Sequence, residues 1–284
     1  MTRKTFPGHI LQERKNPMIH QVIHLRDDDP DITLTAYVAD EGWKTRDAML
    51  VIPGGGYGCV CDDREGEPIA LAYLARGVNA FVLKYSVGPK AIFPRPLADA
   101  SLAMAYIKDH AAEYHIDPDR VFCVGFSAGG HLSASLGTLW HLDSVDAMTG
   151  LPHGKNKPAG MVLCYAVLSA GQMAHKGSFY NILGTTEPTE EQLDLYSIEK
   201  HIDENTVPAF LMHTAEDTVV PVENALYMAE ALSSKKVPFE MHIYPRGPHG
   251  VALGNWLTSM GNPGYDDAAV EKWVDDSVYW MKHI

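Results

Sequence analysis

Eight short runs along the chain are apolar and rich in β-branched or aromatic residues, and the stretches between them carry helical periodicity or turn residues. The runs fall at Ile19–Leu25, Ile32–Val38, Ala48–Ile52, Asn79–Leu83, Val121–Gly125, Met161–Tyr165, Ala209–His213 and Phe239–Tyr244, and each reads as a strand. The first two suit an antiparallel pair at one edge. The later runs hardly alternate, which suits parallel strands covered on both faces. Helices are expected at Glu67–Arg76, Pro96–Tyr114, Ala128–Leu139, Val222–Ser234 and Asp266–His283, with Pro96 near one start and Gly77 after one end. Strands and helices alternate throughout, so the pattern predicts one α/β domain over 1–284, with a mostly parallel eight-stranded sheet between helical layers. Residues 166–208 are too many for a simple crossover and predict a small lid or cap insertion. Within it, Pro188-Thr189-Glu190-Glu191-Gln192 has the form of a capping box opening a short helix to about Tyr196.

Candidate chemistry enters where the fifth run breaks into Gly125-Phe126-Ser127-Ala128-Gly129-Gly130. A serine between two glycines at a strand-to-helix turn is exposed on a sharp bend, with a helix N-terminus beneath the group it would attack. A second glycine run, Pro53-Gly54-Gly55-Gly56-Tyr57, directly follows the third strand. It lacks the Gly-Lys-Ser/Thr ending of a phosphate loop and the spacing of a dinucleotide fingerprint. Backbone amides of Gly55 and Gly56, together with that of Ala128, are the expected oxyanion donors. An acid and a base are expected on later loops. Asp217, in Thr214-Ala215-Glu216-Asp217-Thr218, is the expected acid, with Glu216 in reserve. His249, in Gly247-Pro248-His249-Gly250, is the expected base; His242 lies inside a strand and His283 at the terminus. His131 follows the elbow and His213 precedes the acid loop, so both are expected near the site without catalysing.

Composition narrows the partners. A net charge of −13 disfavours nucleic acid or an anionic membrane and fits a neutral small-molecule ester, while 46% hydrophobic residues suffice to bury one large core. The segment Met1–Pro17 is polar without a signal-like apolar core, and no run is long enough to span a bilayer, so a cytoplasmic protein is expected. Cys123 and Cys164 fall in buried strands, while Cys59-Val60-Cys61 lacks the second ligand pair of a metal site. Neither metal nor organic cofactor is expected, and homo-oligomerisation stays open.

The Pro53-Gly54-Gly55-Gly56-Tyr57 loop with Asp63-Arg64-Glu65-Gly66-Glu67-Pro68 after it, the Gly-Phe-Ser-Ala-Gly-Gly-His elbow, and the His213–Pro221 and Gly247–Gly250 loops together resemble α/β-hydrolase esterases. The closer likeness is to the bacterial acetylesterase and xylan-esterase-like group. That resemblance implies a serine esterase using Ser127, His249 and Asp217 on short acyl esters, acetyl above all, of sugars such as acetylated xylo-oligosaccharides. A small peptidase or amidase, a lipase-like carboxylesterase and a non-catalytic ligand-binding homologue are the alternatives. Pro53 stands where lipase relatives carry histidine, so the loop's hydrogen bonding must differ. Tyr57, Arg64 and His175 are expected on the substrate. Asp63, Arg64 and Glu65 could instead lock the loop through an ion pair, and Met173, His175, Tyr180 and Leu183 either line a pocket or anchor the insertion.

Overall fold

The computed structural model describes residues 18–39 and 44–284. The N-terminal extension 1–17, with the polar segment weighed as a leader, lies outside the described residues. Strands β1 (Ile19–His24), β2 (Thr33–Val38), β3 (Arg46–Ile52), β4 (Asn79–Lys84), β5 (Ile116–Phe126), β6 (Met161–Cys164), β7 (Ala209–Thr214) and β8 (Phe239–Tyr244) form one sheet in the order β1-β2-β4-β3-β5-β6-β7-β8. β1 pairs antiparallel with β2 and β2 with β4; all other pairs are parallel.

The apolar runs do not alternate because both faces are covered. Along β3, Ala48, Leu50 and Ile52 enter one hydrophobic core while Met49 and Val51 enter the other, and β5, β6 and β7 divide in the same way. Helices α1 (Asp62–Glu65) and α2 (Glu67–Leu74) follow β3; α3 (Arg95–Asp109) follows β4; α4 (Ala128–Leu139) and α5 (Asp143–Thr149) follow β5. Between β6 and β7 lie α6 (Lys176–Leu183) and α7 (Glu190–Leu195), and α8 (Glu223–Lys235) and α9 (Trp273–Met281) complete the set. Leu97 of α3, Leu132 of α4 and Met228 of α8 fill one core, and Tyr73 of α2 and Trp273 of α9 fill the other. Among the described residues no helix is long and apolar enough to cross a membrane.

Several boundaries depart from expectation. The last helix begins at Trp273, after a 3₁₀ turn at Val270–Lys272, because the Asp267 carboxylate takes the amides of Ala269 and Val270 in a separate turn. α3 stops at Asp109 rather than Tyr114, and the buried Asn79 side chain donates to the Tyr114 carbonyl as the chain turns into β5. β5 starts five residues early and admits Pro118 because its register against β3 jumps between Arg46↔Ile116 and Ala48↔Val121. The capping box is present: Thr189 Oγ1 accepts from Gln192 N at 3.2 Å and Gln192 Oε1 from Thr189 N at 2.9 Å.

What places the candidate site is the seating of α4. A Cβ on Gly125 would lie 2.1 Å from the Gly129 carbonyl oxygen, and one on Gly129 would lie 2.2 Å from Ile52 O and 2.3 Å from Pro53 O. Backbone therefore packs on backbone where the helix leaves the sheet. Gly129→Ala is expected to destabilise the fold by about 2–3 kcal/mol, since the methyl meets main chain on both sides. Thermal unfolding tests this: a clear drop in midpoint is predicted, and an unchanged midpoint contradicts it.

Candidate active site

Ser127 sits between β5 and α4 with φ 52° and ψ −119°, a conformation costly for a residue with a side chain. It is nearly buried, at 7% exposure. The structure brings Ser127, His249 and Asp217 into one chain of hydrogen bonds. His249 Nε2 is 2.9 Å from Ser127 Oγ, and His249 Nδ1 is 2.7 Å from Asp217 Oδ2. An ionised carboxylate only accepts, so Nδ1 carries the proton and leaves the Nε2 lone pair facing the hydroxyl.

The β7–α8 loop holds the acid. Asp217 Oδ1 accepts from the Val219 and Val220 amides at 2.9 Å each, and His213 Nε2 lies 3.4 Å from Oδ2 while donating to Val220 O at 2.9 Å. Burial alone would raise the Asp217 carboxyl, but the contacts from His213, His249 and the Val220 amide outweigh it and hold it well below the usual carboxylate range. Glu216 turns away and accepts weakly from Gly247 N at 3.4 Å. His242 pairs with Glu240 at 2.7 Å and stacks on Phe210, apart from the chain.

The loop after β3 lies directly against the elbow: a Cβ on Gly54 would come 3.0 Å from Ser127 Cβ. Every main-chain carbonyl of that loop from Pro53 to Tyr57 accepts a hydrogen bond, and the Gly54 amide donates one. Tyr85 donates to Pro53 O at 2.8 Å, Gly54 N donates to Glu65 Oε2 at 2.8 Å, and Cys61 N donates to Gly54 O at 3.0 Å. Gly58 and Cys59 amides donate to Gly55 O, Asn181 Nδ2 to Gly56 O, and Gly88 N to Tyr57 O. Among the described residues, none accepts from the amides of Gly55, Gly56 or Tyr57, nor from Ala128 at the start of α4. An anion placed over Ser127 would find these donors unspent, which is the condition for oxyanion stabilisation. Gly55 at φ 126° is a conformation that favours glycine.

Two expectations need correction. Tyr57 does not offer its side chain to a substrate: it is fully buried, and its hydroxyl lies 2.8 Å from His131 Nδ1. His131 Nε2 is 2.9 Å from the Tyr196 carbonyl and must donate there, so Tyr57 is the donor in the first bond. Burial among Tyr57, Phe93 and Phe179 pushes His131 down to about 4, the Tyr196 contact opposing it, and keeps the ring neutral. The lock on the loop is also not chiefly an ion pair, since Arg64 Nε stays 3.9 Å from Glu65 Oε1. Glu65 works by hydrogen bonds instead. Its Oε1 accepts from the Tyr165 hydroxyl at 2.9 Å, which accepts from Ala252 N at 3.1 Å, while the Tyr165 ring stands edge-on to His249. Burial raises the Glu65 carboxyl, with Gly54, Arg64 and Tyr165 opposing. The sequence flagged Glu65 through its place after the glycine loop, but nothing in it pointed to Tyr165.

Arg64 lies beside the histidine loop, its Nη2 3.5 Å from where a Gly250 Cβ would be, and its Nη1 3.4 Å from Met260 Sδ. His175 faces the glycine loop, its Cε1 3.8 Å from a would-be Gly56 Cβ, and its Nδ1 is 2.8 Å from Ser178 Oγ. Burial and the nearby His249 lower it, against Asp217. Among the described residues no group of three or more His, Cys, Asp and Glu side chains is arranged to hold a metal ion.

The family model BD-FAE matches residues 34–232. The chain is 42% identical over 226 residues to endo-1,4-beta-xylanase B of Butyrivibrio fibrisolvens, covering 78% of this chain and 35% of that one. It is 29% identical over 243 residues to the acetylxylan esterase of Xylanibacter ruminicola, covering 84% of this chain and 45% of the relative. It thus spans between a third and a half of these curated relatives. A crystal structure of an acetyl ester-xyloside bifunctional hydrolase from Caldicellulosiruptor lactoaceticus superposes with a TM-score of 0.80 at 35% identity, over 93% of this chain and 96% of that one.

The Asp217 environment has a consequence for acid stability. Its folded carboxyl ionises below the ~3.9 of an unfolded chain, so it contributes stability above that pH and loses the contribution as pH falls through it. The urea midpoint of the native protein should therefore fall more between about pH 5 and 3 than that of Asp217→Asn; equal falls would contradict the assigned environment.

Proposed function

The chain belongs to the BD-FAE family of α/β-hydrolases, and from that membership we propose that it is a serine esterase removing short acyl groups, acetyl first, from sugars or oligosaccharides. The observation that carries the reading is the Asp217–His249–Ser127 chain at 2.7 and 2.9 Å beside a loop whose Gly55 and Gly56 amides have no acceptor among the described residues. The choice of acyl group and alcohol is supported by relatives named for acetylxylan and for an acetyl ester-xyloside.

In this mechanism His249 Nε2 takes the Ser127 proton as Oγ attacks the ester carbonyl. The tetrahedral oxyanion is held by the amides of Gly55, Gly56 and Ala128, each such donor worth on the order of 10²–10³ in rate. Asp217 stabilises the imidazolium, which passes its proton to the sugar oxygen as its bond to the acyl carbon breaks, so that the sugar leaves as the free hydroxyl. The acyl group stays on Ser127. Water then gives a proton to His249 and attacks the acyl carbon, and collapse returns that proton to Ser127 and frees the acid. Every step uses groups of the chain and water. Cys59, Cys61, Cys123 and Cys164 are free thiols, which suits the cytoplasmic placement read from the sequence.

Ser127→Ala should lower kcat by roughly 10⁴–10⁶. Across nitrophenyl esters the Ser127-dependent rate should peak at acetyl and decline toward decanoyl. Asp217, held well below the usual carboxylate range, stays ionised throughout the neutral and mildly acidic range and so keeps orienting His249 there. Activity retained in Ser127→Ala overturns the site, and a maximum on decanoyl esters or on an aminoacyl anilide overturns the substrate class.

A further inference from the structure

Beside the candidate site, the insertion between β6 and β7 encloses a groove of about 680 Å³ between α6 and α7. That volume lies within the roughly 300–1,000 Å³ of ordinary small-molecule sites. None of Ser127, His249 and Asp217 lines it, so it is not the reaction centre.

It nevertheless starts close by. Val167 N donates to the Ser127 carbonyl at 3.0 Å, and Ala170, on the groove wall, is three residues further on, hence within ~10 Å of that contact. A second approach runs through His175, whose ring faces Gly56 and whose neighbours Ala174 and Lys176 both line the groove. The chain leading into the wall at Ala170 is fixed by hydrogen bonds. Asn224 Oδ1 accepts from the amides of Leu168 and Ser169, Asn224 Nδ2 donates to Met173 O, and Ala170 N donates to Ser197 Oγ. The wall near the serine thus hangs from the start of α8 and from the Ser197 hydroxyl, and it is set before any ligand arrives.

The lining selects a chemistry. Tyr180 offers a half-buried ring, while Glu187, Glu190, Asp194, Lys176 and Lys200 supply charged groups around it. A long fatty chain would strip water from these charges without replacing their hydrogen bonds. Asp194 is paired with Lys200 and Lys176 offsets one of the two other carboxylates, so the lining keeps about one negative charge and, in a chain of net charge −13, offers an anionic ligand no net attraction. A neutral, polyhydroxylated molecule with an apolar face meets both demands: hydroxyls to the carboxylates, and a ring face on Tyr180. We infer that this groove binds the saccharide part of the ester, holding sugar units beyond the one that carries the acyl group at Ser127. The inference rests on the esterase reading for its place in the reaction, but sugar binding is measured without catalysis.

The experiment is calorimetric titration of the whole chain with unacetylated xylotetraose and, separately, cellotetraose, repeated on Tyr180→Ala and on Glu187→Gln, an exposed rim position that spares the fold. Saturable binding of at least one sugar is expected, weakened about fivefold or more in Tyr180→Ala and measurably in Glu187→Gln. Absence of binding by both sugars overturns the inference, as does an unchanged Kd in both variants. Hydrolysis of 4-nitrophenyl acetate by the native chain is followed in parallel. A silent enzyme there defeats the esterase reading alone, while the titration still judges the groove.

Discussion

The turn at Ser127 exists because α4 begins flush against the sheet, and the rest of the site is arranged around that contact. Gly125 and Gly129 let main chain touch main chain, with no space for a methyl at either position. The serine between them is forced to φ 52°, where its hydroxyl stands clear of the helix while the Ala128 amide has no acceptor among the described residues. The strain is local and the support is global. β3, β5 and α4 meet there, and the loop after β3 is pressed onto the serine by the same approach.

Several loops from separate strands must then agree in position to within fractions of an ångström, and buried polar side chains carry that burden. Glu65 joins the glycine loop through Gly54 to the end of β6 through Tyr165, and Tyr165 reaches the histidine loop at Ala252. His131 ties α4 to the glycine loop through Tyr57 and to the insertion through Tyr196. Asn224 ties the start of α8 to the chain leaving β6. Each strut is satisfied on several sides, which is what makes a buried carboxylate, imidazole or amide tolerable in a low-dielectric interior, and removing one partner would strand the other. The same accounting leaves the amides of Gly55 and Gly56 without an acceptor among the described residues, so the unspent donors collect beside Ser127.

Much of this frame was legible in the sequence because unbroken apolar runs and glycine spacing are local signals. The strand cores were each placed to within a few residues, and residues 127, 217 and 249 were picked out by the elbow motif and by the order and chemistry of the later loops, which the fold then brings together. The misses share a cause. Whether α9 starts at Asp266 or Trp273 depends on the Asp267 side chain competing for main-chain amides. α1 and α5 are too short for periodicity to register. Tyr57 looked like a substrate contact because it ends the glycine loop, yet its φ of 61° turns the ring inward to His131, a partner that lies 74 positions away. Glu65 was noticed, but hydrogen bonding rather than charge pairing decides its role, and that depends on Tyr165, 100 positions further on. Long-range polar pairing leaves no periodic trace in a single chain.

The central claim is that Ser127 alone is the activated nucleophile, and covalent titration tests it most directly. The native protein is treated with a fluorophosphonate and the adduct is located by mass spectrometry of its peptides. The account predicts one equivalent of label, on the peptide carrying Ser127, and markedly slower labelling in His249→Ala, whose serine has no base to take its proton. Label on another serine, or labelling at the same rate in His249→Ala, would contradict it.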